Sequence, residues 1–128
     1  MKHFLKVLVV LFALGLAGCA TEKSAGYEQI SQDRAKEIMD SQQSYIIIDS
    51  RTQEEYDGGH IAGAIMIPEY EIAQRAETEL PDKDALILVY CRSGRRSKIA
   101  SQALADLGYT NVKEFGGINT WPYGLTTD

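Results

Sequence analysis

The chain predicts an α/β domain, a mostly parallel sheet covered by helices. Strand-length apolar runs alternate with helix-patterned segments from residue 27 onward. Two of those runs, Tyr45-Ile46-Ile47-Ile48 and Leu86-Ile87-Leu88-Val89-Tyr90, are hydrophobic without interruption, the pattern of strands buried on both faces. The roughly 100 residues involved are enough for one core. In such a sheet the crossovers are right-handed and the ligand crevice lies beyond the carboxyl ends of the strands.

Residues 1–18 stand apart from this pattern. Lys2 and Lys6 precede an apolar segment from Val7 to Leu16, then Ala17, Gly18 and Cys19, the layout of an export signal. The apolar segment is too short for a comfortable transmembrane helix. Leu16-Ala17-Gly18-Cys19 resembles the lipobox of bacterial lipoproteins, which implies cleavage before Cys19 and its acylation. An ordinary secretory signal that happens to end before a cysteine is the alternative. Residues 19–26 then hold the lipidated cysteine and a small, polar tether, which spans at most ~25 Å when extended. The expectation is an exported domain, residues 27–128, anchored by lipid to the extracytoplasmic face of a bacterial membrane, periplasmic or at the cell surface.

Charge narrows the partners. The whole chain carries −5, and removing residues 1–18 takes away two lysines and no acids, leaving −7. So acidic a domain is a poor candidate for nucleic acid or for unaided binding to an anionic membrane. With Cys19 committed to lipid, Cys91 is the one free thiol, and any second thiol comes from another molecule.

The elements follow in order. Tyr27 to Ile30 is a short strand, and Ser31 caps a helix whose inner face carries Ala35, Ile38 and Met39. Tyr45 to Ile48 is the second strand and runs into Asp49-Ser50-Arg51. Thr52-Gln53-Glu54-Glu55 fits a capping box, opening a brief helix that Gly58-Gly59 stops. Ala64 to Ile67 is a third strand closed by Pro68, followed by a helix with Ile72, Ala73, Ala76 and Leu80 inward. Leu86 to Tyr90 is the fourth strand. A helix from Ser97 to Leu107 comes next, with Ile99, Ala100, Ala103, Leu104 and Leu107 on its inner face and Gly108 beyond its end. Val112 to Phe115 is the fifth strand, and Gly116-Gly117 with Trp121 closes the domain.

Chemistry concentrates at Cys91-Arg92-Ser93-Gly94-Arg95-Arg96-Ser97. This loop joins a buried strand to a helix N-terminus, where backbone N–H groups and the helix dipole favour anions. Such surroundings stabilise a thiolate, the reactive form of cysteine. A small buried hydrophobe at a strand end is the plain alternative for any free cysteine, but three arginines and a glycine have no packing reason to surround an inert thiol. Cys91 is therefore the candidate nucleophile. Asp49 and Arg51 fall at a neighbouring strand end and support the site, with Arg51 expected to pair with a carboxylate such as Glu55. His60, in a Gly-His-Ile turn, reads as a hydrogen-bonded structural residue.

Four stretches together resemble the rhodanese-like, or sulfurtransferase, domain family. They are Asp49-Ser50-Arg51, Glu55-Tyr56 with Gly59-His60-Ile61-Ala62-Gly63-Ala64, Cys91 to Ser97, and Gly116-Gly117 leading to Trp121. The resemblance implies a five-stranded parallel sheet sandwiched between helices, with the catalytic loop after the fourth strand. It implies a Cys91 persulfide formed from a small anionic donor, thiosulfate or another persulfide, and passed to an external thiol or to cyanide. Loop groups from Arg92, Ser93, Gly94, Arg95, Arg96 and Ser97 would bind the donor, Arg92 and Arg96 by their guanidinium groups. No metal or organic cofactor is required. Cysteine phosphatases and arsenate reductases, the nearest rivals, need an arginine six positions after the cysteine, where this chain has Ser97. A persulfide carrier without turnover, a binding module and a thiol redox sensor stay open as readings of the same residues.

Overall fold

The computed structural model describes residues 26–128. The export signal read over residues 1–18, the acylation site at Cys19 and the tether up to residue 25 lie outside the described residues. The elements are β1 (Glu28–Gln29), α1 (Gln32–Asp40), β2 (Ile46–Asp49), α2 (Gln53–Asp57), β3 (Ile65–Met66), α3 (Ile72–Glu79), β4 (Ile87–Cys91), α4 (Arg95–Asp106) and β5 (Val112–Gly117). One-turn 3₁₀ segments occupy Glu69–Glu71 and Ile118–Thr120.

The five strands form one sheet in the order β1-β5-β4-β2-β3, every neighbouring pair parallel. β4 is central, and each of its five residues is buried. Its alternating side chains feed two cores. Ile87 and Val89 join Ile48, Ile72, Ala76, Leu80 and Leu104 under α3 and α4. Leu88 and Tyr90 join Ala35, Ile38, Ile47 and Phe115 under α1. The unbroken hydrophobicity of this strand is thus the mark of a sheet covered on both sides.

Caps appear where the side chains call for them. Ser31 Oγ accepts the Arg34 N–H at 3.0 Å and starts α1. At α2, Thr52 and Glu55 form the reciprocal capping box.

One helix face departs from expectation. α4 begins at Arg95, two residues earlier than Ser97, and ends at Asp106. Its buried residues are Ser97, Ala100, Ser101, Leu104 and Ala105, whereas Ile99, expected inside, is 45% exposed. At about 100° per residue, position 99 lies some 200° around the helix from position 97. The inner face is centred on the two small serines because it closes over the end of β4 and not only over the aliphatic core. Ala73 likewise turns outward from α3, leaving Ile72 and Ala76 as that helix's buried pair.

Candidate active site

The site assembles at the carboxyl ends of β2, β4 and β5. Cys91 is the last residue of β4 and is 1% exposed. The chain then turns through Arg92 and Ser93 to Gly94, whose φ of 105° is left-handed and suits glycine as the N-cap of α4. This turn folds the loop back on the thiol. The Gly94 N–H donates to Cys91 Sγ at 3.0 Å, and Ser97 Oγ, in the first turn of α4, stands 3.3 Å from the sulfur. The sulfur therefore sits at the N-terminus of a helix of 12 residues.

β5 closes the loop from the other side. Between Val89 and Cys91 the β4–β5 ladder carries a bulge, so that Val89 pairs with Glu114 but Cys91 pairs with Gly117. The bulge sets Gly117 directly against the loop backbone, where a Cβ would lie 2.0 Å from the Arg92 carbonyl oxygen. The Asn119 N–H donates to that same oxygen at 3.1 Å. Glycine is required at 117 by contact and not by dihedral angle, since its φ of −134° and ψ of 161° are ordinary extended values.

Two ion pairs brace the surroundings, and their partners differ from expectation. Arg51, 3% exposed, pairs with Asp49, 0% exposed, rather than with Glu55. Its Nε and Nη2 reach both carboxylate oxygens at 2.7–3.1 Å, and Nη2 also donates to the Gly59 carbonyl at 2.7 Å. Asp49 is two residues upstream at the strand end, close enough for a bidentate grip. The Tyr90 hydroxyl donates to Asp49 Oδ2 at 2.7 Å and accepts the Ile61 N–H at 3.1 Å. Burial, then the Asp49 carboxylate, push the Tyr90 phenol well above its usual range.

Glu55 instead takes Arg96. Nη1 and Nη2 donate to its two oxygens at 2.6 and 2.8 Å. That grip, against the opposing effect of burial, holds the Glu55 carboxyl down at about 2. Arg96 is thus committed to a bidentate ion pair between α2 and α4, in contrast to the expected role of an open donor-binding arm. The Glu55 bond also raises the Arg96 guanidinium, with burial opposing.

The remaining candidates are placed as follows. Arg92 and Ser93 are exposed on the loop, and Arg95 is exposed at the first position of α4. Arg92 lines a hollow of about 330 Å³ together with Arg51, Glu55, Gly59 and Asn119. A second hollow of about 310 Å³ is bordered by Ser93, Gly94, Lys98, Glu114 and Gly116. His60 is buried, stacked on Tyr56 at 3.7 Å, and its two ring nitrogens lie 2.8 and 2.9 Å from the carbonyls of Tyr56 and Asp128. Trp121 packs on Phe115 at 5.4 Å, over the core beneath α1. Among the described residues no group of His, Cys, Asp and Glu is arranged to hold a metal ion, and no helix is long and apolar enough to cross a membrane.

Glu114 is a residue that sequence reading passed over. It is 2% exposed and sits at the heart of the site: its Oε2 accepts the Ser97 hydroxyl at 2.5 Å and the Gly116 N–H at 2.8 Å. The signal was a lone acid inside the short strand Val112–Gly117, a position that demands a buried partner.

A parallel sheet that presents one thiol on a tight loop at a helix N-terminus defines a cysteine-centred α/β domain. The chain belongs to the rhodanese-like domain family, whose profile matches residues 31–122. It is 44% identical over 71 residues to thiosulfate sulfurtransferase PspE of Escherichia coli strain K12, covering 56% of this chain and 68% of that protein. It is 33% identical over 96 residues to thiosulfate sulfurtransferase GlpE of Coxiella burnetii strain RSA 331, covering 74% and 87%. Among solved structures, a rhodanese with anions from E. coli superposes with a TM-score of 0.62 at 36% identity, covering 66% of this chain and 100% of that one.

Proposed function

We propose that this protein is a sulfurtransferase that carries sulfane sulfur as a persulfide on Cys91. The observation that supports it most directly is the thiol held 3.0 Å from the Gly94 N–H at the mouth of α4. The names of the E. coli and Coxiella relatives point to thiosulfate as a donor.

In this reading the Cys91 thiolate attacks the outer sulfur of thiosulfate. A new S–S bond forms as the old one breaks, and sulfite leaves with the electron pair. The Gly94 N–H and the helix terminus stabilise the anion before and after transfer. A thiol, or cyanide in an assay, then takes the sulfur and regenerates the thiolate, which gives ping-pong kinetics. Arg92, exposed beside the hollow it shares with Arg51 and Asn119, receives the anionic end of the donor. Arg96 and Glu55 neutralise one another and stiffen the approach. Lipid on Cys19 holds the domain at the extracytoplasmic face of a bacterial membrane.

Intact mass spectrometry of the protein before and after thiosulfate, with a thiocyanate assay, tests the reading. One added sulfur on Cys91, discharged repeatedly by cyanide and absent from Cys91→Ser, is the expected result. Sulfur held without turnover would make the protein a carrier, and no sulfur at all would remove the proposal. An acylated amino-terminal Cys19 peptide from membranes checks the anchor; an unmodified Cys19 thiol overturns it.

A further inference from the structure

We infer that Glu114 is a buried positioning residue that draws the proton from Cys91 through the hydroxyl of Ser97. The inference rests on Cys91 working as a thiolate, as proposed above.

Ser97 Oγ has four neighbours and one proton. The neighbours are Glu114 Oε2 at 2.5 Å, Gly94 O at 3.1 Å, Cys91 Sγ at 3.3 Å and Gly116 O at 3.4 Å. Glu114 is the nearest by a wide margin, so an ionised carboxylate there takes the Ser97 proton as its hydrogen bond. The oxygen's lone pairs are then left for the thiol S–H of Cys91. The resting arrangement is a chain, Cys91 S–H to Ser97 O–H to the Glu114 carboxylate. Glu114 itself is held in place by the Gly116 N–H at 2.8 Å and by Gln29 Nε2 at 3.3 Å.

Moving both protons one step along this chain breaks the S–H bond and forms an O–H bond on Glu114 Oε2. Ser97 gives up one proton and gains another. The products are a thiolate that accepts from Ser97 and a neutral carboxyl that donates to Ser97. The net charge of the buried site does not change, which avoids the desolvation penalty of creating a second buried anion. Sulfur transfer then begins from a thiolate made inside the site rather than by proton loss to solvent.

The other charges around the pair are largely spent. From α4, Arg96 is paired with Glu55, while Lys98 borders the hollow next to Glu114. From β1 and α1 the facing groups are the neutral Gln29 and Gln32, with the Glu28–Lys113 pair one position along. From β2 comes the Asp49–Arg51 pair. Arg92 and Arg95 are exposed.

The shape of the pH profile separates this role from a merely structural one. A carboxylate that stays ionised near the sulfur opposes the thiolate, so Cys91 would then show a single ionisation at high pH. The relay adds a reactive form at lower pH, the thiolate beside a neutral carboxyl. The test is the pH dependence of Cys91 alkylation by iodoacetamide, followed on the Cys91 peptide by mass spectrometry from about pH 5 to 10, and interpreted as a coupled titration. The intact protein is expected to show a pH-independent plateau through neutrality, from the form in which thiol and carboxyl share one proton, and a second rise at higher pH. Glu114→Gln should lose the plateau, follow a single ionisation and, without a carboxylate competing for the negative charge, react at least as fast at pH 7. Ser97→Ala, which leaves Glu114 in place, should lose the plateau, keep only the rise at high pH and react about tenfold more slowly at pH 7, and it carries the test if the glutamine variant does not fold. A single ionisation without a plateau in the intact protein overturns the inference, as does an unchanged profile in Ser97→Ala. The alkylation needs no sulfur donor. Failure of the sulfurtransferase reading would instead appear as a normal plateau with no persulfide after thiosulfate.

Discussion

Gly117→Ala is the sharpest test of how the loop is built. Its Cβ would lie 2.0 Å from the Arg92 carbonyl oxygen, 2.2 Å from the carbonyl carbon and 2.5 Å from the Ser93 nitrogen. All three are backbone atoms, so no side chain can swing away. Relief to 3.0 Å requires a backbone shift of at least 1 Å, against the 3.1 Å hydrogen bond from Asn119. Gly117 is the sheet partner of Cys91, so the shift is delivered to the residue that bears the thiol. Overpacking of this severity costs about 3 kcal/mol. A displacement of about 1 Å at the reacting group lowers turnover about 100-fold. Thiocyanate formation from thiosulfate and cyanide reads the second effect, and urea denaturation followed by Trp121 fluorescence reads the first. Gly63→Ala is the control: at φ 83° with nothing within 4 Å of its Cβ, it suffers conformational strain alone. That strain is about 1–2 kcal/mol, with turnover kept. A Gly117→Ala protein within twofold of normal turnover and 1 kcal/mol of normal stability refutes the reasoning about contact.

Three further outcomes are expected. Arg51→Ala leaves the fully buried Asp49 carboxylate without its ion pair and should cost about 3–5 kcal/mol in urea denaturation. Glu55, at about 2 in the folded protein against an ordinary 4.5, contributes stability that is complete above pH 4.5 and lost as pH falls toward 2. After allowance for solvent screening that contribution is about 1–2 kcal/mol, and urea midpoints measured across this window should fall less steeply in Glu55→Gln. Arg92→Ala, which removes an exposed cation from the mouth of the site, should raise KM for thiosulfate about threefold to tenfold with kcat and the urea midpoint nearly unchanged.

Much of the fold was legible because the strongest local signals and the tertiary demands coincide. Leu86 to Tyr90 reads as a doubly buried strand, and the structure has one a residue further on, at Ile87–Cys91, with Ile87 and Val89 serving one core and Leu88 and Tyr90 the other. Ser31 and the Thr52–Glu55 box mark helix starts by chemistry that acts within three residues. What could not be read depends on contacts between distant segments. Arg51 finds its partner two residues back, at Asp49, but nothing local says that Glu55 is taken by Arg96, 41 residues away. The inner face of α4 is a related case. Aliphatic spacing places Ile99 inside, but the helix is rotated so that Ser97 and Ser101 are buried and Ile99 is exposed.

That rotation joins the fold to the chemistry. With Ile99 inward, Ser97 would face away from the sulfur, and β5 would have no polar group to meet. In the observed register Ser97 bridges Cys91 on β4 to Glu114 on β5, so the same turn of helix that caps the core also closes the loop. The bulge in β5 is the counterpart of this choice. It lets Glu114 stay in register with Val89 while Gly117, and not a bulkier residue, meets the loop behind Cys91. A glutamate buried in a strand and a glycine forced by contact are each unfavourable choices for a sheet taken alone. Both are accounted for by the loop they serve, and this is why the serine, the glutamate and the glycine are best tested as one unit with the cysteine.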